Sequence, residues 1–159
     1  MNESALLEMV RYNNWANQQL IAHCKSLPAE VLERTVPGVY GTIPETFAHL
    51  IDMEGTFYRA VTGRPVDEAL PASIAKSLEE LEPLARSIGA RWEEFAAEPG
   101  DIRRPVVEGR GDFRPPIITA LTQLICHGSE HRAQVETIIG ASSLQPPGFN
   151  PWVYAMKHS

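Results

Sequence analysis

Four long stretches of the chain place their apolar residues at the three- and four-residue spacing of an amphipathic helix. The stretch from Ser4 to Ser26 shows this spacing over its whole length. Its inward seam consists of Leu6, Val10, Asn13, Asn17, Leu20 and Cys24. A helix of this length spans about 30 Å. Because each such helix has one apolar face to bury, the pattern predicts an all-α fold around a single core.

Capping patterns mark where the other three helices begin. Thr42 and Glu45 form the S/T-x-x-E pattern, in which each side chain satisfies the other residue's free backbone N–H group, at the start of the second helix. Ser77 and Glu80 repeat this pattern before the third helix, and the fourth helix begins after Pro116. We therefore expect four long helices packed as a four-helix bundle.

The connections between these helices differ in length and in turn residues. A short helical turn is predicted from Pro28 to Arg34. The segment from Arg64 to Ser73 is polar, contains proline and is longer than a tight turn requires, so we expect a long crossover between helices 2 and 3. Between Asp101 and Pro116 we expect a small hairpin or an ordered loop. The last nineteen residues are too rich in helix breakers for a fifth bundle helix and are expected to form a packed cap.

Length, charge and cysteine content limit the class of protein. A chain of 159 residues is long enough to bury a core by itself, so we expect one domain over residues 1–159. The formal charge of -6 argues against a nucleic-acid partner, and no apolar run approaches the ~20 residues that span a membrane. The two cysteines, Cys24 and Cys126, are expected to be reduced thiols in a cytoplasmic protein.

The strongest chemical signal is a pair of histidines on the fourth helix. His127 and His131 lie four residues apart, which places their side chains one turn and about 40° apart on the helix. Both sit at the edge of the apolar stripe, where burying an imidazole costs free energy unless the ring finds a partner. A metal ion is a partner for two neutral rings, and burial favours the neutral form. The same spacing also occurs in surface histidines and in hydrogen-bonded core pairs.

A third histidine, His49, falls in the middle of the second helix. Its seam carries small or flexible side chains that leave room in the interior: Thr46, Met53, Thr56 and Ala60. Bundles commonly build metal sites from facing helices, so we expect His49, His127 and His131 to hold one divalent transition metal ion. Zinc, nickel and cobalt all accept nitrogen ligands, so the ligand type does not choose the ion, and we expect zinc or nickel first. Three imidazoles leave at least one open coordination position, which is typical of a reactive site.

Two interpretations without a metal stay open for these residues. His49 by itself also fits an ordinary core histidine that is hydrogen-bonded to a carbonyl group or to Asp52. All three histidines also fit a bundle in which each ring finds a protein partner.

Glu130 gives the fourth helix a second possible motif. The string from His127 to His131 matches H-x-x-E-H, the inverted zinc-peptidase pattern in which the glutamate activates water. Only 28 residues follow His131, which leaves little room for the further acidic ligand of such enzymes. Glu130 is therefore predicted either to hydrogen-bond a metal ligand or to face solvent.

Two asparagines interrupt the inward seam of the first helix, and a glycine lies in the middle of the fourth. Asn13 and Asn17 are expected to meet polar groups inside the bundle, where they either line the metal pocket and contact its ligands or fix the helix register. Gly128 weakens the fourth helix by about 1 kcal/mol relative to alanine. The close approach of a ligand or of another helix would explain that glycine.

Three motifs follow one another along the chain. They are Tyr12-Asn13-Asn14-Trp15-Ala16-Asn17 on the first helix, His49-Leu50 with Glu54 on the second, and His127 with His131-Arg132-Ala133-Gln134 on the fourth. In their order and spacing the chain resembles the DinB/YfiT-like family of metalloenzymes, from the first helix to the end of the fourth. The resemblance implies a four-helix bundle with a long crossover between helices 2 and 3, and metal ligands at His49, His127 and His131.

The resemblance also implies a range of functions. Members and relatives of this superfamily include S-transferases that use low-molecular-weight thiols such as bacillithiol and mycothiol, and a thiol-dependent maleylpyruvate isomerase. We therefore predict a metal-dependent enzyme in which a thiol cofactor, bound as the thiolate, attacks a small electrophilic substrate. The alternatives are a metal-hydroxide hydrolase and a non-catalytic metal-binding stress-response protein. A homodimer is expected from the same resemblance.

Overall fold

The structure, a computed structural model, describes residues 4–65 and 77–158. These residues are helical and contain no β-strand, which confirms the predicted all-α class. The helices, numbered along the chain, are α1 (Ala5–Cys24), α2 (Ala29–Leu32), α3 (Ile43–Thr62), α4 (Leu78–Ala97), α5 (Ile117–Ala141) and α6 (Pro151–His158). None of the helices in these two ranges is both long and apolar enough to cross a membrane.

The four long helices form a bundle in which α1 and α3 each pack between α4 and α5. The first turns of α3 and α4 lie at the same end as the last turn of α1, because Pro44, Leu78 and Lys25 line one cavity there. At the other end, where α5 begins, the Val107 N–H donates to the Ala60 carbonyl near the end of α3 (2.8 Å). It follows that α3 and α4 are parallel neighbours and run antiparallel to α1 and α5.

This arrangement places the end of α3 and the start of α4 at opposite ends of the bundle. α3 ends at Thr62, and Gly63 caps it in the left-handed conformation with a φ of 70°. Parallel helices need a connection as long as the bundle, and a long crossover between helices 2 and 3 was predicted. The crossover predicted from Arg64 to Ser73 falls largely on residues 66–76, which lie outside the described part of the chain.

Both predicted capping boxes are formed. The Thr42 hydroxyl accepts from the Glu45 N–H (3.3 Å), and the Glu45 carboxylate accepts from the Thr42 N–H (2.8 Å). Ser77 and Glu80 make the same pair of bonds at the start of α4. The start of α3 at Ile43 places His49 two turns into the helix, alongside the middle of the bundle.

The segment between α4 and α5 is an ordered loop, one of the two alternatives that the sequence allowed. Arg110 and Phe113 exchange backbone hydrogen bonds of 3.2 Å across a tight turn, in which Gly111 has a φ of 60°. Pro105 and Pro116 form a second isolated bridge. No strand extends from either bridge in the residues that the structure describes.

The C-terminal segment forms the predicted cap, but part of it is helical. α6 lies outside the four-helix core and packs on α1, where the Tyr154 ring lies 5.3 Å from the Trp15 ring and 5.8 Å from the Tyr12 ring. The helix begins in spite of the nearby prolines because the Asn150 side chain accepts from two N–H groups of its first turn.

The core lies between the four long helices and includes Trp92, which is fully buried. The Trp92 indole N–H donates to the Glu54 carbonyl (3.1 Å), and the ring contacts Tyr58 edge-on at 5.5 Å. These contacts hold α4 against the middle of α3, at the level of the buried Glu54.

Candidate metal centre

Three histidines meet where α3 faces α5. His127 Nε2 lies 3.2 Å from His49 Nε2 and 3.1 Å from His131 Nε2. His127 and His131 share one face of α5 because they lie four residues apart, and His49 reaches them because α3 packs antiparallel against α5. Each histidine offers one nitrogen, and the three nitrogens lie within 4.8 Å of one another. We call these three residues the histidine cluster.

The spacing of these nitrogens fits a metal site. Nitrogens bound to tetrahedral zinc at about 2.0–2.1 Å lie about 3.3 Å apart, close to the two distances at His127. Hydrogen bonds alone leave the rings unsatisfied, because one imidazole nitrogen carries either a hydrogen or a lone pair and His127 Nε2 has two nitrogen neighbours. The buried His127 Nδ1 also lacks a hydrogen-bond partner within the described residues. The three histidines are thus positioned to hold a metal ion.

Burial favours the neutral form of two rings in the histidine cluster, those of His127 and His49. It lowers the pKa of His127 to about 4, with smaller contributions from the neighbouring His131 and His49. Burial also lowers the pKa of His49; His131 adds to this effect, and Asp52 opposes it. Near neutral pH these rings therefore carry a free lone pair, which is the form that binds a metal ion.

A tyrosine and a glutamine border the histidine cluster. Tyr40 stacks on His49, with ring centroids 4.2 Å apart and planes 14° apart. Gln134 Oε1 lies 2.9 Å from His131 Nδ1, on the side of the ring that faces away from the cluster. Tyr40 is 52% exposed and His49 is half-buried, so the cluster opens to the surface beside these two rings.

Asn13 and Asn17 belong to a second polar group, which they form with Glu54 and Arg132. Both asparagines donate from Nδ2 to Glu54 Oε1, at 3.0 Å each. Both accept from Arg132 Nη1, at 2.8 Å and 2.6 Å. All four residues are buried and come from α1, α3 and α5. We call them the Asn–Glu–Arg cluster; in the described residues no hydrogen bond joins its asparagines to a histidine.

The Asn–Glu–Arg cluster balances two buried charges. Burial raises the pKa of Glu54, and the amide of Asn13, the charge of Arg132 and the amide of Asn17 oppose that rise. Burial lowers the pKa of Arg132, and Tyr12 and Glu54 oppose that fall. A Cβ atom at Gly128 would collide with Asn13 Oδ1 and lie 2.9 Å from Arg132 Nη1. Of the two explanations offered for Gly128, a ligand or another helix, the structure shows the close approach of a residue of another helix, Asn13 of α1.

Glu54, Arg132 and Gln134 occur in the sequence motifs, but no role was predicted for them. A signal existed for two of them, because Glu54 and Arg132 are charged residues on helix faces that are otherwise apolar, and a buried charge needs a partner. Gln134 gave a weaker signal, its three-residue spacing from His131.

The remaining residues singled out from the sequence lie elsewhere. Glu130 is on the exposed face of α5, whereas His127 and His131 are buried. The two further histidines of the chain also lie outside the histidine cluster: His158 belongs to α6 and donates from Nδ1 to the Tyr154 carbonyl (2.8 Å). His23 lies near the end of α1, outside the histidine cluster.

Comparison with known proteins agrees with this architecture. The sequence profile of the DinB family matches residues 1–157. Protein DinB of Bacillus subtilis (strain 168) is 22% identical over 142 residues, which cover 83% of each chain. The crystal structure of a DinB-like protein from Bacillus cereus ATCC 10987 is similar in fold, with a TM-score of 0.62, 19% identity, and coverage of 93% of this chain and 99% of that one. Because the family profile spans almost the whole sequence, the chain belongs to the DinB family.

Proposed function

We propose that the histidine cluster holds one divalent transition metal ion, zinc or nickel, and that the protein is an enzyme. The observation that carries this proposal is the convergence of three histidine nitrogens to within 4.8 Å of one another, a group that no cysteine, carboxylate or further histidine of the described chain joins. Structural zinc sites use four protein ligands, whereas catalytic sites use three and keep one position for water or substrate. Three ligands therefore favour a reactive site.

Transfer of a thiol to a small electrophile is the reaction that we propose first. A bound divalent ion lowers the pKa of a thiol or a water molecule at its open position. The ligands support this chemistry because neutral imidazoles do not cancel the charge of the ion. Burial, which lowers the pKa of His127 and of His49, keeps these two ligands neutral.

We propose that the thiol comes from a small cofactor rather than from the chain itself. Cys24 is fully buried, and burial raises the pKa of its thiol to about 12, so it stays protonated. Cys126 is exposed on α5, whereas the next residue, His127, is buried. A low-molecular-weight thiol such as bacillithiol or mycothiol, the cofactor class of the wider superfamily, enters from the open side beside Tyr40.

In the proposed reaction the thiolate sulfur donates an electron pair to the electrophilic carbon of the substrate. A C–S bond forms as the bond to the leaving group breaks, and the leaving group departs with the bonding electrons. The thiol proton passes to solvent, so no oxidant or reductant is required. The exposed ring of Tyr40, stacked on His49, provides an apolar wall for the substrate on the open side of the cluster.

Hydrolysis is the alternative reaction at the same site, with water in place of the thiol. Its inverted zinc-peptidase form requires Glu130 beside the ion, and the exposed position of Glu130 argues against that form. A non-catalytic metal-binding stress-response protein is the alternative from another class. It would keep all three ligands and show no turnover.

One assay compares the three proposals. Zinc-loaded and nickel-loaded proteins are incubated with 1-chloro-2,4-dinitrobenzene, with and without bacillithiol, and separately with 4-nitrophenyl acetate. Thiol transfer predicts chloride displacement that needs both the metal and the thiol and that His131→Ala abolishes. His158→Ala, which removes a histidine outside the cluster, is the matched control and should keep full activity.

The other outcomes of this assay favour the alternatives. Thiol-independent ester hydrolysis that disappears in His131→Ala would replace thiol transfer by hydrolysis. A protein that binds one metal ion and turns over neither substrate would favour the non-catalytic role. We also predict that the protein acts on a small molecule, forms a homodimer and has no nucleic-acid partner.

A further inference from the structure

Gln134 links the histidine cluster to the loop that precedes α3. Its Oε1 atom lies 2.9 Å from His131 Nδ1 and 3.2 Å from the backbone nitrogen of Tyr40. Gln134 is half-buried, and His131 is 7% exposed. One side-chain atom of Gln134 therefore contacts both a member of the histidine cluster and the backbone next to that cluster.

The Tyr40 contact decides which end of the Gln134 amide faces His131. A backbone N–H group can only donate, so the side-chain atom that it meets has to be the amide oxygen and not the amide nitrogen. The same oxygen is the atom that His131 Nδ1 meets.

The amide oxygen in turn decides the tautomer of His131. An amide oxygen accepts and cannot donate, so the hydrogen between the two side chains belongs to His131 Nδ1. A neutral imidazole carries a single N–H, which leaves the lone pair on Nε2. That Nε2 lies 3.1 Å from His127 Nε2, inside the histidine cluster.

We infer that Gln134 is a positioning residue, which holds His131 as the Nδ1–H tautomer with its Nε2 lone pair directed into the histidine cluster. The inference rests on the proposed function, because a lone pair held there serves a bound cation. His131 is thus oriented before any ion binds. His127 differs, because its buried Nδ1 finds no hydrogen-bond partner within the described chain.

The first test examines the tautomer in protein stripped of metal. Long-range 1H–15N spectra of histidine-labelled protein at pH 8 distinguish the Nδ1–H and Nε2–H forms, and the spectrum of His131→Gln assigns the signal. We expect the Nδ1–H form in the wild type and in Gln134→Glu, which keeps an acceptor. We expect loss of that preference in Gln134→Leu. An Nε2–H form of His131 in the wild type would overturn the inference.

The second test measures zinc affinity by competition with a chromophoric chelator. Loss of a hydrogen-bond partner of a metal-ligating histidine typically weakens metal binding by about 10–100-fold, so we expect that change in Gln134→Leu. Gln134→Glu should bind zinc at least as tightly as the wild type. Gln123→Leu makes the same substitution at an exposed position of α5 and should leave the affinity unchanged.

The two tests separate this inference from the proposed metal site. Wild-type protein that binds no zinc would contradict the proposed function, while the tautomer in metal-free protein would still decide the role of Gln134. An unchanged zinc affinity in Gln134→Leu, with wild-type helicity by circular dichroism, would overturn the positioning role. If Gln134→Leu fails to fold, Gln134→Glu still tests the inference, because His131 has to keep the Nδ1–H form in that variant.

Discussion

The histidine cluster and the Asn–Glu–Arg cluster lie side by side in one bundle and differ in completeness. In the second cluster, Glu54 and Arg132 are joined through both asparagines, and each asparagine donates at one end of its amide and accepts at the other. In the first cluster, three nitrogens crowd together, and His127 Nδ1 has no partner in the described chain. Adjacent residues, His131 and Arg132, therefore belong to very different environments.

The difference separates a structural role from a ligand-binding role. Polar groups that satisfy one another inside a protein need nothing further, and they help to specify how helices pack. Polar groups that are buried without hydrogen-bond partners cost free energy, and a bound ligand can offset that cost. The histidine cluster also opens beside Tyr40, whereas the Asn–Glu–Arg cluster is buried on all sides.

The largest predicted effect comes from breaking the Asn–Glu–Arg cluster. Arg132→Met leaves two amide oxygens without their donor and removes the positive charge that offsets the buried Glu54 carboxylate. Breaking such a buried charge pair costs about 3–5 kcal/mol. Arg59→Met removes the same side chain from an exposed ion pair with Glu108 and should cost about 0–1 kcal/mol. Urea unfolding of the metal-free proteins measures both values. A loss below 1 kcal/mol in Arg132→Met would contradict a structural role for this cluster.

Binding of a metal ion to the histidine cluster should stabilise the folded protein. Zinc at a free concentration of 100 times its Kd should raise the free energy of unfolding by about 2.7 kcal/mol, because the ion binds the folded state. His127→Ala should remove this increment, and His158→Ala should keep it. Thermal unfolding with buffered zinc measures the effect, and an equal increment in His127→Ala would place the ion elsewhere.

Acid should destabilise the metal-free protein through the histidine cluster. Unfolded His127 titrates near 6.5 and folded His127 near 4, so the unfolded state binds more protons between these pH values. Stability is therefore retained above about pH 6.5 and falls as the pH drops to about 4, by about 2 kcal/mol from this residue after a discount for solvent screening. Urea unfolding across that range, compared with His127→Asn, isolates the contribution. Equal pH profiles would contradict the lowered pKa.

The smallest predicted effect concerns the packing of Gly128 against the Asn–Glu–Arg cluster. Gly128→Ala gains helix propensity, but its methyl group meets Asn13 and Arg132, and such overpacking costs about 1–3 kcal/mol. We expect a net loss of about 1 kcal/mol. Gly140→Ala, on the same helix with open space around it, should gain up to about 1 kcal/mol. Chemical unfolding measures the free energy of unfolding of both variants, and a stabilising effect of Gly128→Ala would contradict the close packing at this position.

The sequence predicts the helices well because their signals are local. A capping box needs two residues three positions apart, and both predicted boxes are formed. The His127–His131 pair follows from one helical turn, and His49 needed only the further assumption that its helix faces theirs. The helix α6 within the predicted cap was not itself predicted, because the prolines near Asn150 indicated an irregular segment, whereas the Asn150 side chain caps the first turn of a helix.

The partners across the bundle could not be predicted in the same way. Asn13 and Arg132 are 119 positions apart, and the sequence offers many polar residues as partners for either. The outcome depends on helix rotation and on the space left by Gly128, which only the packed structure fixes. The Tyr40–Gln134 hydrogen bond involves a backbone group in a loop, and a backbone group carries no sequence signal.

The most direct test of the central claim is the metal content of untagged protein, determined by mass spectrometry in the wild type and in His131→Ala. The account predicts about one equivalent of zinc or nickel in the wild type and its loss in the variant, with the fold retained. A wild-type protein that holds no ion even after reconstitution, or a His131→Ala protein that keeps its full equivalent, would contradict a metal centre at the histidine cluster.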